Sequence, residues 1–271
     1  MNHGLRLALL LPVAALIGCT LPSASSGTTP TGAWENWQIE AGTAITSPPN
    51  TYPSFLGAIQ IQGAQVSGIF NTVYPPGTPT TSTTAQDYTG VFASATGNVT
   101  LATYGYGFSY IQPASPDIQV PVGVLGGCVY PPGYTGPECL AMFESPSVGV
   151  EIASLTGTYV GTITDSASPS MSGTATLTLT QTATPNSSGQ FPLSGTIAFP
   201  STSSFGTVPL GGTIAGEGIA LSDSSAAPNS PTVNVTAAAS ADASQIAVSN
   251  LLYSNAGPGA VFVYTGTLTR Q

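Results

Sequence analysis

Carboxylates are the side chains of this sequence best suited to act as general acids or bases. Two carboxyl groups about 5–10 Å apart can hydrolyse a glycosidic bond, so carboxylate-dependent glycoside hydrolysis stays open as an alternative. Charged residues make up only 5% of the chain, so we expect these groups to be surface or turn residues and predict no catalytic residue. The carboxylates considered are a group around one loop, Glu138, Glu144 and Glu151, and a scattered set, Asp165, Glu217, Asp223 and Asp242.

Basic side chains are almost absent from the sequence. The chain has two arginines, Arg6 and Arg270, a single histidine, His3, and no lysine. This composition argues against Ser-His-Asp and Cys-His catalysis, histidine metal sites and Schiff-base lysines. The sequence also lacks a D-x-D-x-D-G run of the kind that forms a calcium loop. We therefore predict a protein that is not an enzyme and that needs no metal or cofactor.

The charge balance excludes nucleic acid as a partner. All 11 acidic residues lie after Cys19, and Arg270 is the only basic residue there, so this part has a net charge of about 1 − 11 = −10. Affinity for nucleic acid comes chiefly from Lys and Arg side chains that neutralise phosphates. Hydroxyl and amide side chains must supply solubility here, which is typical of proteins outside the cytoplasm.

Two cysteines, Cys128 and Cys139, flank the segment VYPPGYTGPE. In an oxidising compartment, an even pair around such a turn-rich segment predicts a disulfide across a loop. Closing a loop of about this length stabilises the fold by roughly 3 kcal/mol in the chain-entropy model.

Four aromatic residues alternate along TYGYGFSYIQP, at Tyr104, Tyr106, Phe108 and Tyr110. A spacing of two places them on one face of a strand. Such a face can form part of the core, or it can bind a glycan or a partner protein through stacking and hydroxyl hydrogen bonds. Both interpretations stay open at this stage.

The N-terminus has the pattern of a secretory signal. An apolar run from Leu7 to Ile17 follows a short basic start and is too short to span a bilayer. It ends in Leu16-Ile17-Gly18-Cys19, which resembles the lipobox of bacterial lipoproteins, and the region that follows is similar to β-rich lipoproteins of that class. The alternative is an ordinary secretory signal that is cleaved nearby.

The lipobox resemblance implies that residues 1–18 are a signal peptide and that Cys19 carries the lipid. Two or three acyl chains would anchor the protein stably to a membrane. Thr20 in place of an aspartate favours sorting to the outer membrane by analogy with the family. The resemblance therefore predicts a lipid-anchored protein of the bacterial cell envelope.

Residues 19–32 predict a lipidated cysteine with a flexible tether, and the rest predicts an all-β fold. Short segments rich in Val, Ile, Thr, Phe and Tyr alternate with Gly, Pro, Ser and Asn, which is typical of an antiparallel sandwich or barrel. The clearest predicted strands are residues 55–62, 65–73, 97–104, 157–164, 173–182, 193–199, 211–222, 232–239, 246–253 and 260–269.

The two halves repeat the same order of segments. QVSGIF in the first half matches PLSGTI in the second, and this aligns Ser67-Gly68 with Ser194-Gly195. We predict two related β-domains, residues 33–150 with the disulfide loop and residues 151–271, with one large domain over 33–271 as the alternative.

The start and end of the second half suggest a closed barrel. LTGTYVGTIT and VFVYTGTLTR share an aromatic residue, a glycine and Thr-aliphatic alternation, so they could pair. The G-x-Y start resembles avidin-like and lipocalin-like barrels. The sequence predicts a non-catalytic binding or structural module of the envelope, and the alternative implied by this likeness is a lipocalin-like carrier of a small apolar ligand.

Overall fold

A computed structural model describes residues 32–41, 54–73, 85–93, 98–102, 107–111, 124–130, 145–203, 205–225, 232–254 and 261–271. The described chain is built from antiparallel strands with one short 3₁₀ turn at Pro169–Met171. Within these residues, we find no helix that is both long and apolar enough to span a membrane.

The first eight strands close into an antiparallel barrel, the first barrel. Each strand pairs with the next, and β1 pairs with β8 to close the ring, with Trp37 opposite Glu151. The strands are β1 (Trp34–Ala41), β2 (Ser54–Gln62), β3 (Gln65–Val73), β4 (Gln86–Ala93), β5 (Asn98–Ala102), β6 (Gly107–Ile111), β7 (Val124–Tyr130) and β8 (Ser145–Ile152).

The last eight strands form the second barrel in the same up-and-down order. It closes through β16 and β9, where Thr265 lies opposite Thr164. The strands are β9 (Gly157–Asp165), β10 (Gly173–Gln181), β11 (Phe191–Ala198), β12 (Thr207–Ala215), β13 (Gly218–Asp223), β14 (Thr232–Ala239), β15 (Gln245–Ser254) and β16 (Val261–Arg270).

Alternating side chains explain why these segments form barrel walls. In β10, Ala175, Leu177 and Leu179 are buried, while Thr174, Thr178 and Thr180 at the alternate positions are exposed. A strand with one buried face and one wet face requires this period of two. The inward side chains of the second barrel make one continuous buried cluster that includes Tyr159, Phe191 and Tyr264, and a smaller cluster fills the described part of the first barrel.

Glycines allow neighbouring strands to approach closely in these narrow barrels. A Cβ at Gly161 of β9 would lie 2.1 Å from the carbonyl oxygen of Thr267 on β16. A Cβ at Gly57 of β2 would lie 1.9 Å from the carbonyl oxygen of Ile69 on β3. Only glycine fits where the backbones are this close, so these positions set the curvature of the walls.

The outer wall of the first barrel packs against one end of the second. The Asn36 side chain donates to the Gly216 carbonyl at 2.8 Å and accepts from the Gly216 N–H at 2.8 Å. The side-chain Oε1 of Gln38 accepts from the Glu217 N–H at 3.0 Å. Asn36 is 2% exposed, and the apolar residues Ala58 and Ile152 beside it join the core cluster of the second barrel.

The segment that joins the barrels is held at the same end of the second barrel. The Ala153 N–H donates to the Ala241 carbonyl at 2.8 Å, and the Leu155 N–H donates to Oε1 of Gln181 at 3.0 Å. Leu155 is fully buried, and the Arg270 guanidinium donates to the Ser154 carbonyl. These contacts fix residues 153–156, which argues against free movement of the barrels about this joint.

The predicted all-β class is confirmed, and an up-and-down barrel is the form that the structure takes. The predicted pairing of the first and last segments of the second half is present as β9 and β16. The single predicted strand at 211–222 is wrong, because Gly216, with a φ of +54°, and Glu217 turn the chain between β12 and β13. The first barrel extends to Ile152, two residues past the predicted boundary at 150.

Candidate functional site

A carboxylate pair and a tryptophan lie together on the wall of the first barrel. Trp37 on β1 lies directly across from Glu151 on β8, and Glu35 is two residues before Trp37 on the same face of β1. This face is the inner one, since Glu35 pairs with the buried core residue Ile59. Diagonal neighbours of this kind have Cα atoms about 7–8 Å apart. We call Glu35, Trp37 and Glu151 the acid–indole site.

The environment of Glu35 favours its protonated form. Burial, and then the nearby carboxylate of Glu151, raise the pKa of Glu35 from 4.5 to about 7, against a smaller lowering by the Trp37 side chain. The carboxyl group is therefore about half protonated at neutral pH. A carboxyl group in this state can both donate and accept hydrogen bonds.

Trp37 brings an unused donor to the same place. It is 4% exposed, and its indole Nε1 is buried without a hydrogen-bond partner. The indole is close enough to stabilise the charged form of Glu35, but no hydrogen bond of ordinary geometry joins the two groups. A buried N–H without an acceptor costs about 1–3 kcal/mol, so this position favours an additional acceptor.

Of the carboxylates that were singled out from the sequence and that the structure describes, only Glu151 joins this site. Glu138 and Glu144 lie outside the described residues. Three of the others accept hydrogen bonds within turns, which is the role that the sequence favoured. Oδ1 of Asp165 accepts from the Ala167 and Ser168 N–H groups, and the carboxylates of Asp223 and Asp242 accept from Ser225 and Ser244 in the same way.

The predicted lipidation and disulfide sites fall mostly outside the described residues. Cys19 and Cys139 lie outside them, and Cys128 is described only through its backbone in β7, opposite Pro146. The acylation and the disulfide therefore stay predictions.

The predicted aromatic face is described only in part. Tyr104 and Tyr106 lie outside the described residues. The backbones of Phe108 and Tyr110 lie in β6, where they pair with Leu101 and Val99. Both partners on β5 are buried core residues. The choice between a core face and a binding face stays open for these aromatics.

The second barrel has an outer surface covered by hydroxyl groups. Thr162 lies opposite Thr174, and Thr178 lies opposite Thr196, across neighbouring strands. Strands in a sheet are about 4.8 Å apart and alternate residues about 6.8 Å apart, so the hydroxyls form a regular array. We call this surface the hydroxyl wall, and its exposed members are Thr162, Thr164, Thr174, Thr178, Thr180, Ser194, Thr196, Thr265, Thr267 and Thr269.

The hydroxyl wall carries no charge along its strands. The charged strand residues of the second barrel are Asp165, Asp223 and Arg270, and each is the last residue of its strand. The described strand surface of this barrel is therefore neutral between its ends. A surface of this kind can hydrogen-bond a partner but offers little for an ion pair.

Two further polar groups are buried inside the second barrel. Asp165 and Tyr264 lie opposite each other on β9 and β16, and neither Oδ2 of Asp165 nor the Tyr264 hydroxyl has a hydrogen-bond partner. Burial, with smaller contributions from Asp165 and Tyr253, raises the pKa of Tyr264 to about 12. The phenol therefore stays protonated at physiological pH.

Sequence reasoning did not identify Glu35, Trp37 or the hydroxyl wall as a site. The alternation of threonines in TATLTLTQT indicated a wet face, but only the strand order shows that several such faces are adjacent. Glu35 and Glu151 are 116 positions apart in the chain and meet because β1 closes the barrel with β8.

Comparison with known proteins gives no family assignment. No protein-family model matches this chain, and no curated protein is significantly similar to it. The described residues also contain no group of three or more His, Cys, Asp or Glu side chains placed to hold a metal ion.

Proposed function

We propose that the protein is a lipid-anchored module of the bacterial cell envelope that binds neutral glycans without catalysing a reaction. The lipobox-like Leu16-Ile17-Gly18-Cys19 supports the anchor, and Thr20 supports an outer-membrane location. The observation that carries the binding role is the hydroxyl wall, an uncharged array of ten exposed Ser and Thr side chains on one side of the second barrel.

The wall suits a glycan because its chemistry matches that of sugar hydroxyls. Each hydroxyl is one donor and two acceptors, and a hydrogen bond of this type contributes about 0.5–1.5 kcal/mol net. Many such contacts must act together, which favours an extended partner with a repeating structure. The net charge of about −10 after Cys19 disfavours an anionic polymer and leaves neutral polysaccharides as the best class.

The packed interior of the second barrel supports binding at the surface. An eight-stranded barrel can be filled by side chains or can enclose one small ligand. Here Tyr159, Phe191, Tyr253 and Tyr264 belong to one contiguous buried cluster. A lipocalin-like carrier needs an interior open to its ligand, so we favour the outer wall over the interior.

Among the described residues, Glu35 and Glu151 are the pair of carboxyl groups that could carry out glycoside hydrolysis. We propose binding because the hydroxyl wall is an extensive surface and its strands carry charged residues only at their ends, so it has no carboxylate pair of its own. The same assay can separate the two roles, because hydrolysis releases new reducing ends and binding does not.

The test is co-sedimentation of the protein, expressed from Cys19 onward with Cys19→Ser, with insoluble neutral polysaccharides such as chitin, cellulose and curdlan. The wall variant changes Thr174 and Thr178 to Val. Its matched control changes Thr232 and Thr236 to Val, two exposed threonines with the same spacing on β14, which lies across the barrel from β10. Valine keeps the side-chain shape and the β propensity but removes the hydroxyl.

We expect the wild type and the control variant to sediment with at least one polysaccharide, and the wall variant to bind about tenfold more weakly. Two lost hydrogen bonds of about 0.7 kcal/mol each correspond to this change. If the wall variant and the control variant bound equally well, the hydroxyl wall would not be the binding surface. Release of reducing ends that is lost in Glu151→Gln would replace the binding role with catalysis.

A further inference from the structure

The acid–indole site contains one buried hydrogen-bond donor without an acceptor, the indole N–H of Trp37. Trp37 is 4% exposed. Glu35, by contrast, is only partly buried, so solvent reaches the site on that side. The indole nitrogen itself is closed to solvent, so a ligand that supplies an acceptor would have to enter from the Glu35 side.

The three side chains define the chemistry of such a ligand. The indole donates, the Glu151 carboxylate can accept, and Glu35 does both when it is half protonated. An anionic ligand is disfavoured because it would face Glu151. A vicinal diol fits, because each hydroxyl can accept from one group and donate to another, and the indole ring offers an apolar face for the C–H side of a sugar.

We propose that Glu35, Trp37 and Glu151 form a binding site for a single neutral sugar unit on the inner face of the first barrel. The proposal rests on the proposed function only for the class of ligand, since the hydroxyl wall lies on the other barrel. This site would bind a monosaccharide or the end of a glycan chain, whereas the hydroxyl wall would bind along the length of an extended glycan.

The two tryptophans of the chain allow a direct test by NMR. Trp34 and Trp37 each give one indole N–H signal in a ¹H–¹⁵N spectrum. Trp34 packs against the buried cluster of the second barrel, so its signal is the internal control. The probes are D-glucose, N-acetyl-D-glucosamine and cellotetraose, with D-glucuronate as the anionic control. Trp37→Phe assigns the two signals.

We expect a neutral sugar to shift the Trp37 indole signal in a saturable way and to leave the Trp34 signal unchanged. Glu151→Gln should weaken this binding about tenfold, while Glu217→Gln, the same change at an exposed turn residue, should leave it unaltered. D-Glucuronate should cause no saturable shift.

An unchanged Trp37 signal with all three neutral probes would overturn the proposal and would indicate that the indole donates to Glu35 instead. Polysaccharide binding that persists in that case, and that still depends on Thr174 and Thr178, would leave the proposed function intact. If the protein bound no polysaccharide but a neutral sugar still shifted the Trp37 signal in a saturable way, the proposed function of the hydroxyl wall would fail and the sugar site at Trp37 would stand.

Discussion

Replacing Glu35 by Gln should remove a pH dependence of stability from the protein. The folded state raises the pKa of Glu35 from 4.5 to about 7, so it holds the proton more tightly than the unfolded chain does. The stability from this group is fully present below about pH 4.5 and is lost as the pH rises through about 7. The full difference corresponds to about 3 kcal/mol, at about 1.4 kcal/mol for each tenfold change in acidity.

Solvent screening reduces this figure, because the Glu35 carboxyl is only partly buried. We therefore expect the wild type to lose about 1–2 kcal/mol of unfolding free energy between pH 5 and pH 8 through this group. Glu35→Gln should be more stable than the wild type by about that amount at pH 8 and similar to it at pH 5. Urea denaturation at four pH values, followed by tryptophan fluorescence, measures the difference.

The matched control for this experiment is Glu217→Gln, an exposed glutamate in the turn between β12 and β13. Its stability should follow the wild type across the pH range. If Glu35→Gln also followed the wild type at every pH, the raised pKa of Glu35, and with it the burial of this carboxyl group, would be wrong.

Three other predictions concern the anchor, the disulfide and the contact between the barrels. Radiolabelled fatty acid should enter the full-length protein in a bacterial host, and Cys19→Ala should abolish the labelling; labelling that survives would exclude lipidation at this residue. Peptide mapping without reductant should find Cys128 linked to Cys139, and two free thiols in protein from the periplasmic side would contradict the disulfide. Asn36→Ala should lower the unfolding free energy by about 2–4 kcal/mol because it leaves the Gly216 N–H and carbonyl unsatisfied. The exposed Asn234→Ala is its control, and equal denaturation midpoints would refute the role of Asn36.

The strands of the second barrel could be predicted because the residues that alternate as apolar and polar in the sequence are buried and exposed, respectively, in the fold. In TATLTLTQT, the aliphatic positions face the core and the threonines face solvent, and no distant contact overrides this pattern. The strand TVNVTAAA at Thr232–Ala239 matches its prediction for the same reason. The prediction of one strand for GGTIAGEGIALS is wrong because both arms of a tight hairpin alternate, and a turn of only two residues hardly interrupts the pattern.

The repeat between the halves has a structural counterpart. Ser67-Gly68 lies on the third strand of the first barrel, and Ser194-Gly195 lies on the third strand of the second. The strands aligned from sequence thus occupy the same places in the two strand orders. The contact between Asn36 and Gly216 had no comparable signal, since an asparagine in a strand and a glycine in a turn are common in such a composition.

The acid–indole site could not be predicted from the sequence because it depends on pairing between strands that are far apart in the chain. The sequence groups Glu151 with Glu138 and Glu144 around one loop, because it shows only which residues are near each other in the chain. Barrel closure instead pairs β8 with β1 and places Glu151 across from Trp37. Which charges meet depends on the register between the first and last strands, and local patterns do not encode that register.

A crystal structure of the protein in complex with a neutral oligosaccharide that it binds would show directly which surface holds the sugar. We predict that the sugar lies across the hydroxyl wall within hydrogen-bond distance of Thr174, Thr178 or their neighbours. We also predict that protein side chains alone fill the interior of the second barrel, around Phe191 and Tyr264. A ligand enclosed in that interior, or a sugar on the opposite side at β14, would contradict glycan binding by the hydroxyl wall.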